Sequence, residues 1–227
     1  MDECGGLESR YLVQTGSWVR IPLSPFCIII IQNRCSMQSI KETLTEKNLL
    51  KSFAGESQAR MRYDYFAKQA KKEGFVQISN IFSETALNEM EHAKVFFKFL
   101  EGCSLEISAS YPAGKIGTTL ENLKSSADGE QEEWSQLYPE FASVAEKEGF
   151  DEVAERFRMI AKAEMAHEDR YRRLYDNLSS GSVFKKDKKV IWKCINCGYF
   201  HEGLEASDEC PSCLHNQEYF QIKENNY

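Results

Sequence analysis

The sequence predicts a mainly α protein: a four-helix bundle followed by a small metal-bound β module. Three observations predict it. Charged, helix-forming sequence with a 3.6-residue apolar period runs from about Ser39 to Asn177. Within it, "YDYFAKQAKKEGF" from Tyr63 returns as "YPEFASVAEKEGF" from Tyr138 at an offset of 75, the mark of a duplicated helical hairpin. Finally, two Cys-x-x-Cys pairs, Cys194/Cys197 and Cys210/Cys213, stand twelve residues apart near the end of the chain.

The first 36 residues lack this texture. "QTGSWVRIPLSPFCIIIIQNRC" has no helical period, so residues 1–36 are expected to be a non-native or disordered extension, with the native start at Met37. The bundle is expected over residues 37–178. Its first helix runs to a stop at Gly74, with Thr45 or Ser39 as cap. A second ends at Gly102, and the loop "SASYPAGKIG" crosses over. The third spans about Thr118 to Gly149. It contains Pro139, whose missing amide must kink or rearrange it. The fourth runs from Asp151 to about Leu178. Residues 179–189, "SSGSVFKKDKK", read as a flexible linker, and residues 190–227 as a module too small to fold without a metal.

Composition narrows the function. A net charge of −7 over 227 residues argues against nucleic-acid binding. The longest apolar run, "CIIII" from Cys27, is far too short to span a membrane, and the acidic start does not fit a signal peptide. Cys4, Cys27, Cys35 and Cys103 have no framework spacing, which suits a reducing, cytoplasmic compartment.

The chemistry lies in carboxylates on apolar faces, since an unpaired buried carboxylate is costly. Glu89 shares its face with Phe82, Ala86 and Phe96, and Glu164 with Phe157, Ile160 and Tyr171. Each begins a Glu-x-x-His motif, Glu89/His92 and Glu164/His167, whose spacing puts both side chains within reach of one ion. Glu56 and Glu130 supply a lone acid on each remaining helix, and Glu133 follows one turn beyond Glu130. Carboxylate oxygens with imidazole suit iron or manganese. Glu56 lies seven residues before Tyr63, but Glu130 lies eight before Tyr138. One extra residue in a helix is absorbed by a π-bulge, predicted here between Glu130 and Tyr138. The four cysteines, with Gly198 and Pro211 shaping their turns, form a tetrahedral thiolate site for iron or zinc. Trp192, Tyr199 and Phe220 are expected to cover it.

Together "LLKSFAGESQARMRYDYFA", "ETALNEMEHAK", "ADGEQEEW", "AEMAHEDRY" and "WKCINCGY…CPSC" resemble the rubrerythrin family over nearly everything after Met37. The resemblance implies a ferritin-like di-iron bundle with a rubredoxin-like Fe(Cys)4 domain. It implies a peroxidase reducing hydrogen peroxide to water in oxidative-stress defence, with electrons entering through the Cys4 iron from a rubredoxin or an NAD(P)H-dependent reductase. The implied ligands are Glu56, Glu89, Glu130, Glu164 and His167, with Glu133 and His92 as the pair between which one iron moves. Tyr63 and Tyr138 fall where the family places supporting tyrosines. A head-to-tail homodimer or higher homo-oligomer is implied as well. Leu214 departs from the glycine usual after the second cysteine knuckle of free rubredoxins, which is expected to alter an amide-to-sulfur bond. Two rival readings share parts of this pattern: a ferroxidase or iron-storage protein, and a zinc-ribbon adaptor with a structural bundle.

Overall fold

The computed structural model describes residues 10–12, 18–20 and 38–224. The chain divides into two compact units, Met1–Ser39 and Ile40–Tyr227. In the first, β1 (Arg10–Leu12) pairs antiparallel with β2 (Trp18–Arg20), Tyr11 opposite Val19. The rest of the N-terminal extension, with Cys4, Cys27 and Cys35, lies outside the described residues.

The second unit opens with α1 (Leu44–Lys72) and α2 (Val76–Lys98), packed as a hairpin. Thr43, in extended conformation, caps α1 by accepting from the Glu46 amide. The expected caps do not serve, because Thr45 is already inside the helix. Its amide and hydroxyl both donate to the Glu148 carboxylate, at 2.8 and 2.6 Å. α1 stops at Gly74, whose φ of 84° only glycine adopts cheaply. Phe75 N–H then reaches Ala70 C=O and Gly74 N–H reaches Lys71 C=O, the paired bonds of a Schellman close. Gly149 and Phe150 repeat both bonds onto Glu146 and Ala145, so the two Gly-Phe turns of the sequence repeat are one structural device. α2 ends at Lys98, four residues short of the expected Gly102, where Phe99 and Leu100 tighten into i to i−3 bonds.

The crossover leads to a capping box, Thr118 with Glu121, that starts α3 (Thr119–Glu132). A π-helical segment follows over Glu133–Leu137, and α4 (Tyr138–Lys147) continues the rod. Tyr138 N–H bonds to Glu133 C=O, five residues back. The extra residue seen by comparing the repeats is therefore housed where predicted. Pro139 falls in the first turn of α4, where a missing amide costs little. α5 (Asp151–Ser179) packs along α3 and α4.

Apolar residues form two layers. One gathers Tyr63, Phe66, Phe82, Leu123 and Tyr171; the other gathers Leu49, Phe96, Tyr138 and Phe157. Each large side chain stabilises the fold by about 1.5–3 kcal/mol through burial. Between these layers lies a third, made of buried acids: Glu56, Glu89, Glu130 and Glu164.

The C-terminal module is a three-stranded antiparallel sheet in the order β4 (Phe200–Glu205), β3 (Lys185–Cys194), β5 (Phe220–Ile222). A 3-10 turn, Gln217–Tyr219, precedes β5. Trp192 sits opposite His201 on one side and Ile222 on the other. The expected flexible linker, residues 179–189, is mostly structured: β3 already begins at Lys185, which pairs with Glu205. Its lysines hid the strand, because over residues 185–189 only Lys186 is partly covered and none signals burial. Phe184 stacks on Phe75 with ring centroids 6.3 Å apart, so the module rests on the α1–α2 turn of its own bundle. No helix among the described residues is long and apolar enough to cross a membrane.

Candidate metal centres

The buried acids converge with the two predicted histidines into two donor groups that share members. Glu56, Glu89, His92 and Glu164 form one; Glu89, Glu130, Glu164 and His167 form the other. His92 Nδ1 lies 2.9 Å from Glu89 Oε2 and 2.8 Å from Glu164 Oε1. His167 Nδ1 lies 3.2 Å from Glu89 Oε1 and 2.8 Å from Glu164 Oε2. Glu89 and Glu164 thus turn one oxygen to each group and bridge them. Glu56 and Glu130 are terminal, at 4.0 and 3.7 Å from their respective histidines.

Protons alone do not account for this packing. One Glu56 oxygen, one Glu89 oxygen, one Glu130 oxygen, both Glu164 oxygens and His167 Nδ1 are buried without a hydrogen-bond partner among the described residues. They approach closely in distance but not at hydrogen-bond angles. Donor separations near 3 Å are the edges of an octahedron whose bonds are about 2.1 Å, the usual length for imidazole and carboxylate ligands. Four carboxylates balance two divalent cations. The residues present therefore fit a pair of ions.

The electrostatics point the same way. Burial pushes the Glu56 carboxyl well up, and Glu164, Glu89 and Glu133 add to the rise. Burial and Glu89 hold Glu130 at about 8. Burial alone would lower the His167 imidazole, yet contacts with Glu130, Glu164 and Glu89 raise it to about 12. His92 is raised to about 10 against burial by Glu164 and Glu89. The acids demand positive charge at both histidines, the positions a metal ion's charge would meet.

Two tyrosines cross the bundle to hold the terminal acids. Tyr138 O–H donates to Glu56 Oε1 at 2.5 Å, and Tyr63 O–H donates to Glu130 Oε1. The arrangement is reciprocal, each repeat half supplying the phenol for the other half's glutamate. Burial pushes both phenols well above their ordinary range, so both stay donors.

Of the predicted bundle ligands, Glu133 alone stands outside both donor groups. It opens the π segment and lines a cavity of about 330 Å³ shared with Arg62 and Tyr138. Sequence reasoning missed the rest of that wall. Ser52, Gln58 and Arg62 look like ordinary solvent-facing helix residues, and only the π segment hinted that this side of the bundle is open.

In the module, Cys194, Cys197, Cys210 and Cys213 come together as predicted. Cys194 Sγ lies 3.7 Å from Cys213 Sγ, and Cys197 Sγ 3.6 Å from Cys210 Sγ. Tetrahedral bonds of about 2.3 Å give edges close to this. The two knuckles are copies: Gly198 N–H bonds to Cys194 C=O and Leu214 N–H to Cys210 C=O, both at 2.9 Å. Leu214 takes the glycine's place by adopting a φ of 59°. The departure from glycine thus leaves this turn intact. Trp192 and Phe220 are buried over the site, with Tyr199 partly covered.

Residues 47–175 match the rubrerythrin family model, and residues 192–221 match the model for the rubrerythrin rubredoxin-like domain. The chain is 57% identical to rubrerythrin of Clostridium perfringens over 195 residues, covering 84% of this chain and all of that protein. It is 53% identical to rubrerythrin of Nitratidesulfovibrio vulgaris, covering 82% of this chain and 97% of the relative. Among solved structures, the fully reduced, all-ferrous state of nigerythrin aligns with a TM-score of 0.54 at 28% identity, over 85% of this chain and 96% of that one. Donor pattern, four-cysteine module and whole-length likeness agree: the chain belongs to the rubrerythrin family, with a carboxylate–histidine di-iron site and a rubredoxin-like four-cysteine site.

Proposed function

We propose that the protein is a peroxidase that reduces hydrogen peroxide to water in oxidative-stress defence, with electrons passing through the four-cysteine centre. One observation carries the reading. A two-ion site and a four-thiolate site, a one-electron carrier when it holds iron, share one chain. A protein that only stored iron would not need the second.

With iron bound, the bundle site supplies two electrons and Lewis-acid stabilisation of the departing oxygen. The chain's own residues do the rest. Tyr138 and Tyr63 fix the terminal carboxylates by donated hydrogen bonds, and Glu130 turns its other oxygen, Oε2, toward His167. The aromatic layers above and below exclude bulk water. Glu133, committed to neither donor group, is the carboxyl group placed to carry a proton to the reacting oxygen.

We further infer a head-to-tail homo-oligomer. The module sits at the Gly74 end of the bundle, and Glu56 lies 16 residues before Lys72 on α1, about 24 Å along the axis at 1.5 Å per residue. Electron tunnelling falls off exponentially with distance, so a partner's module laid beside Glu56 is the faster route. A rubredoxin or an NAD(P)H-dependent reductase would reload it. The thiolates need a reducing compartment, which fits a cytoplasmic location.

Metal analysis of native protein tests the composition, with three irons per chain expected and a red colour that bleaches on reduction. Stopped-flow mixing of reduced protein with peroxide and with oxygen tests the chemistry. Faster reaction with oxygen would replace this reading by a ferroxidase, and a colourless, zinc-loaded tail would favour an adaptor.

A further inference from the structure

The cavity beside Glu133 is larger than hydrogen peroxide requires. Peroxide displaces the volume of one or two waters, each about 30 Å³ in the liquid. The cavity holds about 330 Å³, at the small end of pockets that bind organic ligands. Its floor is α1 and its roof is the crossover loop. Tyr111 O–H donates to Lys51 C=O at 2.8 Å, and the Gln58 side-chain amide donates to Pro112 C=O at 3.1 Å, pinning that roof. The Tyr111 ring packs over Gly55, where an added Cβ would meet its Cε1 at 3.6 Å, an ordinary contact.

The lining residues carry polar groups whose hydrogen-bonding capacity is unspent. Ser52 Oγ, Gln58 Oε1 and Arg62 Nε are buried without hydrogen-bond partners among the described residues, and all three residues line this one cavity. Ser52 is only 4% exposed. Leu137 and Phe141 add apolar surface to the same lining. The inner wall is Glu133 and Tyr138, and Tyr138 touches the Glu56 donor directly. Polar side chains, apolar side chains and a tyrosine bonded to a metal donor around one cavity suit a molecule with an oxygen head and a short alkyl body.

We propose that this cavity is an access chamber for small alkyl hydroperoxides, which the di-metal site reduces alongside hydrogen peroxide. The proposal rests on the peroxidase reading above. In the step, the O–O bond of ROOH breaks. Two electrons come from the reduced site and two protons from the chain and solvent, giving ROH and water. The side chains of Ser52, Gln58 and Arg62 turn their unpartnered atoms into the cavity to hold the peroxide oxygens while the alkyl group lies against Leu137 and Phe141.

The test mixes fully reduced holoprotein with hydrogen peroxide and with tert-butyl hydroperoxide in a stopped-flow instrument. It also soaks crystals of the oxidised holoprotein in tert-butyl alcohol, the inert product. Ala109→Trp plugs the mouth from an exposed loop position, and Ser110→Trp serves as a second plug if the first folds poorly. Wild type should reduce tert-butyl hydroperoxide within about a hundredfold of the peroxide rate. The plug should slow the alkyl substrate at least tenfold and hydrogen peroxide less than threefold, and alcohol density should fill the cavity in wild type alone. Rapid peroxide reduction with no alkyl reaction, or equal slowing of both substrates by the plug, overturns the chamber and leaves the peroxidase standing. Alcohol in the cavity with neither peroxide reduced overturns the peroxidase and with it the reduction step proposed here.

Discussion

Deleting Gln136, an exposed residue of the π segment, should cost the protein a metal ion and much of its stability. The helix would then turn uniformly, and α4 would rotate about 100° and shift about 1.5 Å relative to α3. Both ends of this rod are anchored on α1, Glu130 through Tyr63 and Tyr138 through Glu56. A regular helix cannot satisfy both. Losing one phenol bond to a buried carboxylate costs about 1.5–3 kcal/mol. Turning out either Tyr138 or Leu123, both buried, adds about 1.5–3 kcal/mol. The total, at least about 3 kcal/mol, is a fall in Tm of about 6–12 °C for a chain of this size. Calorimetry and metal analysis read both effects, with Gln136→Ala as a control expected within about 0.5 kcal/mol of wild type. A deletion variant that keeps both bundle metals and melts within 3 °C of wild type would refute the argument that the extra residue sets the register of the site.

Other perturbations separate the donors. Glu164 belongs to both groups and Glu130 to one, so Glu164→Ala should empty both bundle positions and Glu130→Ala should spare the one at His92; iron stoichiometry by mass spectrometry decides. Glu148 accepts from the Leu44 and Thr45 amides at the start of α1, so Glu148→Gln should cost about 1 kcal/mol, a typical capping loss. Burial alone would raise the Glu148 carboxyl, but the Thr45 and Leu44 bonds outweigh it and hold it below the usual carboxylate range. Its contribution is therefore complete above about pH 4.5 and disappears as pH falls through the lower folded value, and Tm curves for wild type and variant should converge there. Cys210→Ser should release the module's metal and, with it, the order of buried Trp192, read as loss of near-UV circular dichroism while the far-UV helix signal stays.

How much of this was legible depends on what a residue type can signal by itself. Glutamate on an apolar face is conspicuous, so Glu56, Glu89, Glu130 and Glu164 stood out before any coordinates. The count between Glu130 and Tyr138 located the π segment, because helices tolerate an inserted residue in few ways. The strand at Lys185 was invisible because its side chains are exposed lysines, and strand identity there comes from pairing with Glu205. The Thr43 cap was missed because Thr45 has equal intrinsic preference; Glu148, 103 residues away, takes Thr45 for another purpose. The cavity was illegible for the same reason: Ser52, Gln58 and Arg62 acquire a shared surface only when the crossover loop folds over them.

The repeat makes the site symmetric at the metals, and residue type makes it asymmetric around them. Glu56 and Glu130 correspond at an offset of 74, Tyr63 and Tyr138 at 75. The reciprocal phenol bonds survive this mismatch because the π segment absorbs it between them. One turn past each terminal acid, however, the halves differ. Ala59 follows Glu56 and packs into the core at 3% exposure, whereas Glu133 follows Glu130 and faces the cavity. A small apolar residue closes one flank and a titratable one opens the other. The acid on the cavity flank stands a regular helical turn past Glu130, and the inserted residue follows it, so the difference between the flanks is one of residue type at matching positions. If the flanks were made equal by Glu133→Ala, both donor groups should remain and both ions should bind. Peroxide turnover should fall at least tenfold for want of the proton carrier; unchanged turnover with both ions in place would remove Glu133 from the chemistry.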